Sequence, residues 1–140
     1  MAGKTYHQSD RVLDLFLGQT VTGAPATYVS LFTANPTGDN LAGTEWSIDR
    51  VQVHQSAHGS EPYWSGKNSE GNKRYIENVR TISWTMPSDY TADEVVTGIG
   101  IWDHVSAGNL LYWETLNTSR TLAASEEIAF GTSALKVRED

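Results

Sequence analysis

The chain has no cysteine among its 140 residues. That excludes a disulfide framework, a thiolate metal site and a cysteine nucleophile, so packing, strand pairing or assembly must hold the fold. Basic residues are also scarce: ten Lys and Arg stand against seventeen Asp and Glu, a net charge of −7. A surface of that sign cannot neutralise phosphates, so nucleic acid is not an expected partner. No apolar run approaches the roughly 20 residues that span a bilayer, and Met1 to Gln8 lead into no signal-peptide core. Membrane insertion is therefore not expected, and synthesis in the cytoplasm is. No internal period of repeat length occurs. The chain also lacks a nucleophile-elbow Gly-x-Ser-x-Gly, an EF-hand spacing and a phosphate loop; Gly3-Lys4-Thr5 follows no strand.

Aromatic residues are plentiful, with five Trp and six Tyr. These side chains suit pleated sheets and dominate contact surfaces. The length fits one domain, residues 1–140. The clearest element is a hairpin from Val95 to Leu116, in which two apolar, β-branched and aromatic runs flank Ser106-Ala107-Gly108-Asn109. Alternation sends Ile99 and Ile101 to one face and Gly98, Gly100 and Trp102 to the other. On the return strand Leu110, Tyr112 and Leu116 share a face, with Leu111 and Trp113 opposite. Neither face is polar, which predicts a central hairpin covered on both sides. Gly98 and Gly100 leave a bare strip that admits a ring or another backbone.

Around the hairpin, residues 9–18 predict a short helix, capped by Ser9 and ended by Gly18, with Val12, Leu13, Phe16 and Leu17 as its apolar stripe. So short a helix must dock on the sheet or on a neighbour. Thr27 to Thr33 predicts a strand with Val29 and Leu31 in the core. Trp46 to Gln55 predicts a strand with a bulge or bend. Residues 56–74 predict a long polar loop carrying Tyr63-Trp64. Tyr75 to Met86 predicts a strand with Ile82, Trp84 and Met86 on one face. Asn117 to Ser125 reads as a polar link. Two short terminal strands follow, over Glu126 to Phe130 and Ala134 to Arg138, with Leu135 and Val137 inward. The sum is an all-β fold, an antiparallel β-sandwich or jelly roll of about seven to eight strands with an N-terminal helix.

Candidate chemistry is thin. His54 and His58, four apart with Glu61 nearby, suit a metal only on a helix, and their surroundings read as strand and loop. Asp39-Asn40 and the acidic stretch Asp89 to Glu94 offer oxygen ligands, but acidic turns are usually only turns. Asp103, His104 and Ser106 suggest a triad, yet neighbours on a strand point apart, so Asp103 is expected to cap the turn and His104 to lie on the surface. No catalytic residue, cofactor or metal is expected. Trp84, Trp102 and Trp113 are expected in core or subunit contacts, and Trp46, Tyr63 and Trp64 are the candidates for surface binding.

One further pattern carries more weight. The segments Leu17-Gly18, Pro25 to Thr37, Gly43-Thr44-Glu45, Gly98 to Asp103, Gly108 to Trp113 and Ala134-Leu135 follow each other in an order that resembles small bacteriophage virion proteins of the tail-fibre-like kind. Trp46 to Arg50 and the loop of residues 56–74 depart from that pattern. The resemblance implies a non-enzymatic virion component that acts by assembly, on the tail or tail fibre or as capsid decoration. Its expected partners are other virion proteins and copies of itself in a symmetric homo-oligomer, a trimer being the expected form. Leu13, Phe16, Gly98, Gly100, Trp102 and Trp113 are the interface candidates. The alternative is a host-surface carbohydrate- or receptor-binding module that uses the aromatic loop residues.

Overall fold

A computed structural model describes residues 3–22, 26–37, 43–53 and 62–139. The elements run β1 (Gly3–Lys4), α1 (Tyr6–Phe16), β2 (Thr27–Ala34), β3 (Thr44–Glu45), β4 (Val51–Val53), β5 (Asn68–Glu70), β6 (Lys73–Glu77), β7 (Ile82–Thr85), β8 (Glu94–Trp102), β9 (Leu110–Leu122), β10 (Glu127–Phe130) and β11 (Lys136–Glu139). The fold is all-β and sandwich-like with one N-terminal helix. Eleven strands rather than seven or eight are described, because predicted single strands break into short pieces.

The largest sheet has the order β1-β9-β8-β2-β3, with β4 also pairing with β2. Smaller sheets pair β10 with β7, and β11 with β6 and β5. All the pairings are antiparallel. The hairpin β8–β9 is central, as its two-sided apolarity predicts, with β2 on one flank and β1 on the other. Val29 and Leu31 are buried on β2 as expected. They join Val53, Val96, Ile99, Leu122 and Ile128 in one hydrophobic cluster that also takes in Ile82, Trp84 and Met86. Leu135 and Val137 pack against its border. Withdrawing a side chain of this size fully from water stabilises the fold by about 1.5–3 kcal/mol.

Several boundaries differ from those read in the sequence. The helix begins at Tyr6, because Thr5 and not Ser9 is the N-cap: its hydroxyl accepts the Gln8 N–H at 3.3 Å. Its far end matches expectation. Gly18 takes φ 74°, the Gly18 N–H donates to Leu15 O and the Gln19 N–H to Asp14 O, the paired bonds of a glycine-terminated helix. Of the strand expected over Trp46 to Gln55 the described residues form only β4, which pairs with β2 as β3 does; His54 and Gln55 lie outside the described residues. Tyr75 to Met86 divides into β6 and β7. The supposed polar link at Asn117 to Ser125 is largely the second half of β9, and the supposed loop of residues 56–74 contains β5 and the start of β6. Those two strands turn at Gly71-Asn72, where Gly71 at φ 60° supplies the backbone a two-residue hairpin requires.

The register of the hairpin also corrects the face assignment. Ile101 lies opposite Tyr112, but a bulge places Trp102 opposite Leu110. Adjacent residues of β8 point to opposite faces, so Leu110 leaves the face of Tyr112 and joins that of Trp102.

Candidate functional site

The tip of the hairpin holds most of the polar side chains that the sequence made suspect. Asp103 Oδ1 accepts the Asn109 N–H at 2.6 Å, and its Oδ2 accepts from the Asn109 amide at 3.0 Å. His104 Nδ1 accepts the Ser106 and Ala107 N–H groups at 3.3 and 3.1 Å. Both side chains are thus occupied in holding the turn, and no hydrogen bond joins Asp103 to His104 as a triad would require. Burial raises the Asp103 carboxyl, but the Asn109 side-chain and backbone hydrogen bonds and the nearby His7 more than offset it, holding the group below its ordinary value. His7 Nε2 lies 3.8 Å from Asp103 Oδ2.

Beneath the tip lies a residue that sequence reading overlooked. The Arg50 guanidinium makes two bonds to Glu45, at 2.7 and 2.9 Å, and donates to His104 O and Ala107 O at 2.6 and 2.8 Å. Its side chain is 5% exposed and stacks over Trp102. The arrangement ties β3, the turn and β8 together. Its chemistry is that of a clamp, since each donor named here faces an acceptor of the same chain.

The aromatic candidates separate clearly. Trp46 and Trp64 are buried, and the Trp64 Nε1 donates to Thr27 Oγ1. The apolar cluster claims them, so neither stands on the surface as a binding platform. Tyr63 is half-buried, packs against the same cluster and lies under the Arg80 guanidinium at 4.8 Å. Trp84 is buried, donating to Asp49 O and meeting Phe130 edge-on. Trp102 is half-buried and donates to Ser30 Oγ at 2.8 Å. Trp113 is half-buried, and its buried Nε1 has no partner among the described residues.

Gly98 and Gly100 do make the close approach predicted for them, but within the chain. A Cβ on Gly100 would lie 2.7 Å from the Phe32 ring, and one on Gly98 would run into Asn35. Both glycines are buried, so the bare strip serves this chain's own packing and is not open to a second one. His54, His58, Glu61, Asp39 and Asn40 lie outside the described residues. Among the described residues no group of three His, Asp or Glu side chains is arranged to hold a metal.

The remaining candidates, Leu13 and Phe16, lie on an unusual helix. Thr5 fastens its start to the sheet: the buried hydroxyl donates to Leu110 O at 2.6 Å, and the Thr5 N–H donates to Leu111 O. Gln8 then reaches the Tyr112 hydroxyl, Arg11 reaches Thr22 O, and Val12 is half-buried. Four apolar residues take the other side, whereas Leu15, 61% exposed, lies on the side of Gln8 and Arg11. Phe16 is 85% exposed, Leu17 73%, Leu13 58% and Tyr6 56%. At 3.6 residues per turn Tyr6, Leu13, Phe16 and Leu17 fall on one broad stripe, turned away from the sheet that the helix rests on. Tyr6 was missed because the helix start was misplaced; Thr5-x-x-Gln8, a capping-box spacing, was the signal.

No match was found among curated proteins. A family model, described as podophage GP4 fiber I protein gp80, matches residues 3–138. That span contains the helix, the central sheet and all of the smaller sheets but Glu139, and it agrees with the virion resemblance of the motif order. The chain belongs to the family of the podophage GP4 fiber I protein gp80.

Proposed function

We propose that this fibre-family chain acts by assembly, as one non-enzymatic subunit of a symmetric homo-oligomer in the virion, with three-fold symmetry as the expected form. One observation carries the reading. An amphipathic helix normally buries its apolar stripe, whereas α1 sets Gln8 and Arg11 toward its own chain and leaves Tyr6, Leu13, Phe16 and Leu17 in water. A contiguous apolar patch of that kind is the ordinary mark of a subunit contact. The Thr5 anchor supports this, because it fixes the helix in a constant position from which it can meet a neighbour. Leu13 and Phe16 are the contact residues in this reading. Gly98 and Gly100 play no part in it, and Trp102 acts within the subunit.

Light scattering on the purified chain, alone and as Leu13→Asp and Phe16→Asp, tests the proposal. The expected result is an oligomer for the parent chain and monomers for both variants, with the far-ultraviolet spectrum of the fold retained. A parent chain that is monomeric at tens of micromolar, or variants that assemble unchanged, would overturn it. The reading as a receptor module built on the loop aromatics loses its main residues through the burial of Trp46 and Trp64.

A further inference from the structure

One line of the helix joins its exposed stripe to a groove on the same chain. Ser9, Leu13 and Phe16 stand at i, i+4 and i+7 and so lie along one side of α1. Leu13 and Phe16 are in water, whereas Ser9 lines the edge of a groove of about 950 Å³ between the β8–β9 face and β11. The groove is open because β1 covers β9 only opposite Tyr112 and Trp113, leaving the next stretch of that edge without a strand partner among the described residues. Ile101, Tyr112 and Leu116 form its floor, and Phe130, Leu135 and Val137 its wall. All six are half-buried, so an apolar trough adjoins an apolar ridge and the described residues fully cover neither.

The chain does not fill its trough with its own ridge. Thr5 is bonded to Leu110 O and Leu111 O and Gln8 to the Tyr112 hydroxyl, and rolling the helix far enough to turn Phe16 and Leu17 inward would break these bonds. The ridge alone is also small. At their exposures Tyr6, Leu13, Phe16 and Leu17 present roughly 500 Å² together, below the about 800 Å² that each partner of a stable interface contributes. Stripe packed on stripe would stay below that size and leave the trough in water. Ridge in trough covers both, and each chain of a closed ring then buries its ridge against one neighbour and its trough against the other. Leu13, Phe16 and Leu17, at i, i+3 and i+4, have the anchor spacing of a helix seated in a groove. Charge agrees in sign but adds direction only. Exposed Asp10 flanks the ridge, while Lys136 and Arg138 on the trough wall already pair with Glu77 and Glu70.

We propose that the apolar ridge of α1 in one copy seats in the groove between β9 and β11 of the next copy. The partner is a second copy of this chain, met through a different surface. The inference rests on the assembly reading and deepens it by naming the surface that receives Leu13, Phe16 and Leu17. Two unlike surfaces that meet between successive copies make a heterologous contact, which closes into a ring when the rotation returns to its start. Ridge and trough side by side suit such a ring, because near the symmetry axis each chain turns one of them toward the preceding copy and the other toward the following one.

Because the chain has no cysteine, single introduced thiols report the contact. Asp10→Cys places one beside the ridge, and Asn117→Cys and Ala134→Cys place one each on the groove; all three positions are exposed, so folding is not at stake. Pairs of variants are co-expressed so that mixed assemblies form, sized by light scattering, treated with a short bis-maleimide and resolved on a denaturing gel. Asp10→Cys with Asn117→Cys or with Ala134→Cys should give about tenfold more covalent dimer than Asp10→Cys alone. Asp10→Cys with Asp93→Cys, an exposed site outside the groove, should give no more than Asp10→Cys alone. Covalent dimer in equal yield from Asp10→Cys alone would mean that stripe packs on stripe, and would overturn the proposal. An oligomer in which Asp10→Cys joins neither groove variant would overturn the proposal while assembly stood, and a monomeric parent chain would overturn both.

Discussion

The Arg50 guanidinium stands 3.7 Å from the centre of the Trp102 ring, with its edges bonded to Glu45 and to two carbonyls of the hairpin turn. This single side chain connects β3, the tip and β8. Its removal leaves the His104 and Ala107 carbonyls without their donor and Glu45 without its cation. Arg50→Ala is expected to cost about 3 kcal/mol, measured by urea denaturation. Arg50→Lys should recover less than half, because an ammonium cannot serve the carboxylate and both carbonyls in one plane. A loss below about 0.5 kcal/mol for Arg50→Ala, the level of an exposed ion pair, would show that the clamp is not formed in solution.

Gly100 lies beneath the Phe32 ring and beside Leu110, where a Cβ would come within 2.7 and 2.9 Å of them. Gly100→Ala must therefore push aside a ring that is itself 2% exposed. The expected destabilisation is about 1–3 kcal/mol, the usual range for overpacking a core. Gly66→Ala, where no atom lies within 4 Å, is the matched control and should leave the melting temperature almost unchanged. If Gly100→Ala were neutral while oligomer formation was lost, the glycine strip would face a second chain after all.

How much of this was legible in the sequence depended on the range of the interaction. The hairpin, the shared face of Ile82, Trp84 and Met86, and the turn role of Asp103 are written in local alternation and turn chemistry, and each is found as read, whereas His104, read as a plain surface residue, also accepts two N–H groups of the turn. The β5–β6 turn at Gly71-Asn72 was also local, but its polar strands concealed it. Register was less accessible. The bulge that parts Leu110 from Tyr112 is set by how two strands meet, and the alternation of one strand does not reveal it. Loop aromatics misled for a similar reason: Trp46 and Trp64 adjoin polar sequence, yet the sheets enclose both of them. The exposed helix stripe was half legible. Leu13, Phe16 and Leu17 were plain, but Tyr6 was not, and the direction they face depended on Thr5 bonding to Leu110, more than a hundred residues away.

Asn78 is a side chain whose role no local pattern announces. Fully buried, it donates to the carbonyls of Arg80 and Gly131 at 2.9 and 2.8 Å and accepts the Leu135 N–H at 2.9 Å. Its own carbonyl takes the Ser133 N–H. The segment leading into β11 is thereby fastened to the end of β6. Asn78→Leu strands several part-buried backbone groups at once, and about 3 kcal/mol should be lost. Hydrogen exchange should localise the effect, with Leu135 and the β11 amides losing protection first. A uniform loss of protection across the chain, with no early opening of β11, would contradict the role of Asn78 as a local fastener.

Asp103 makes the stability of the hairpin tip depend on acid. Its carboxyl titrates below the ordinary aspartate value because Asn109 and His7 favour the charged form more than burial disfavours it. A group depressed in the folded state contributes stability above the unfolded value, about pH 3.9, and that contribution is lost as pH falls through the folded value. The melting temperature of the parent chain should therefore drop on acidification below about pH 4 through this group, beside the drop common to its other carboxylates. Asp103→Asn keeps an acceptor for the Asn109 N–H but has no charge to lose. The gap between parent and variant should be widest near neutrality and close toward pH 3. Melting curves collected from pH 7 to pH 2.5 check this, and a constant gap across that range would mean that Asp103 acts through shape alone.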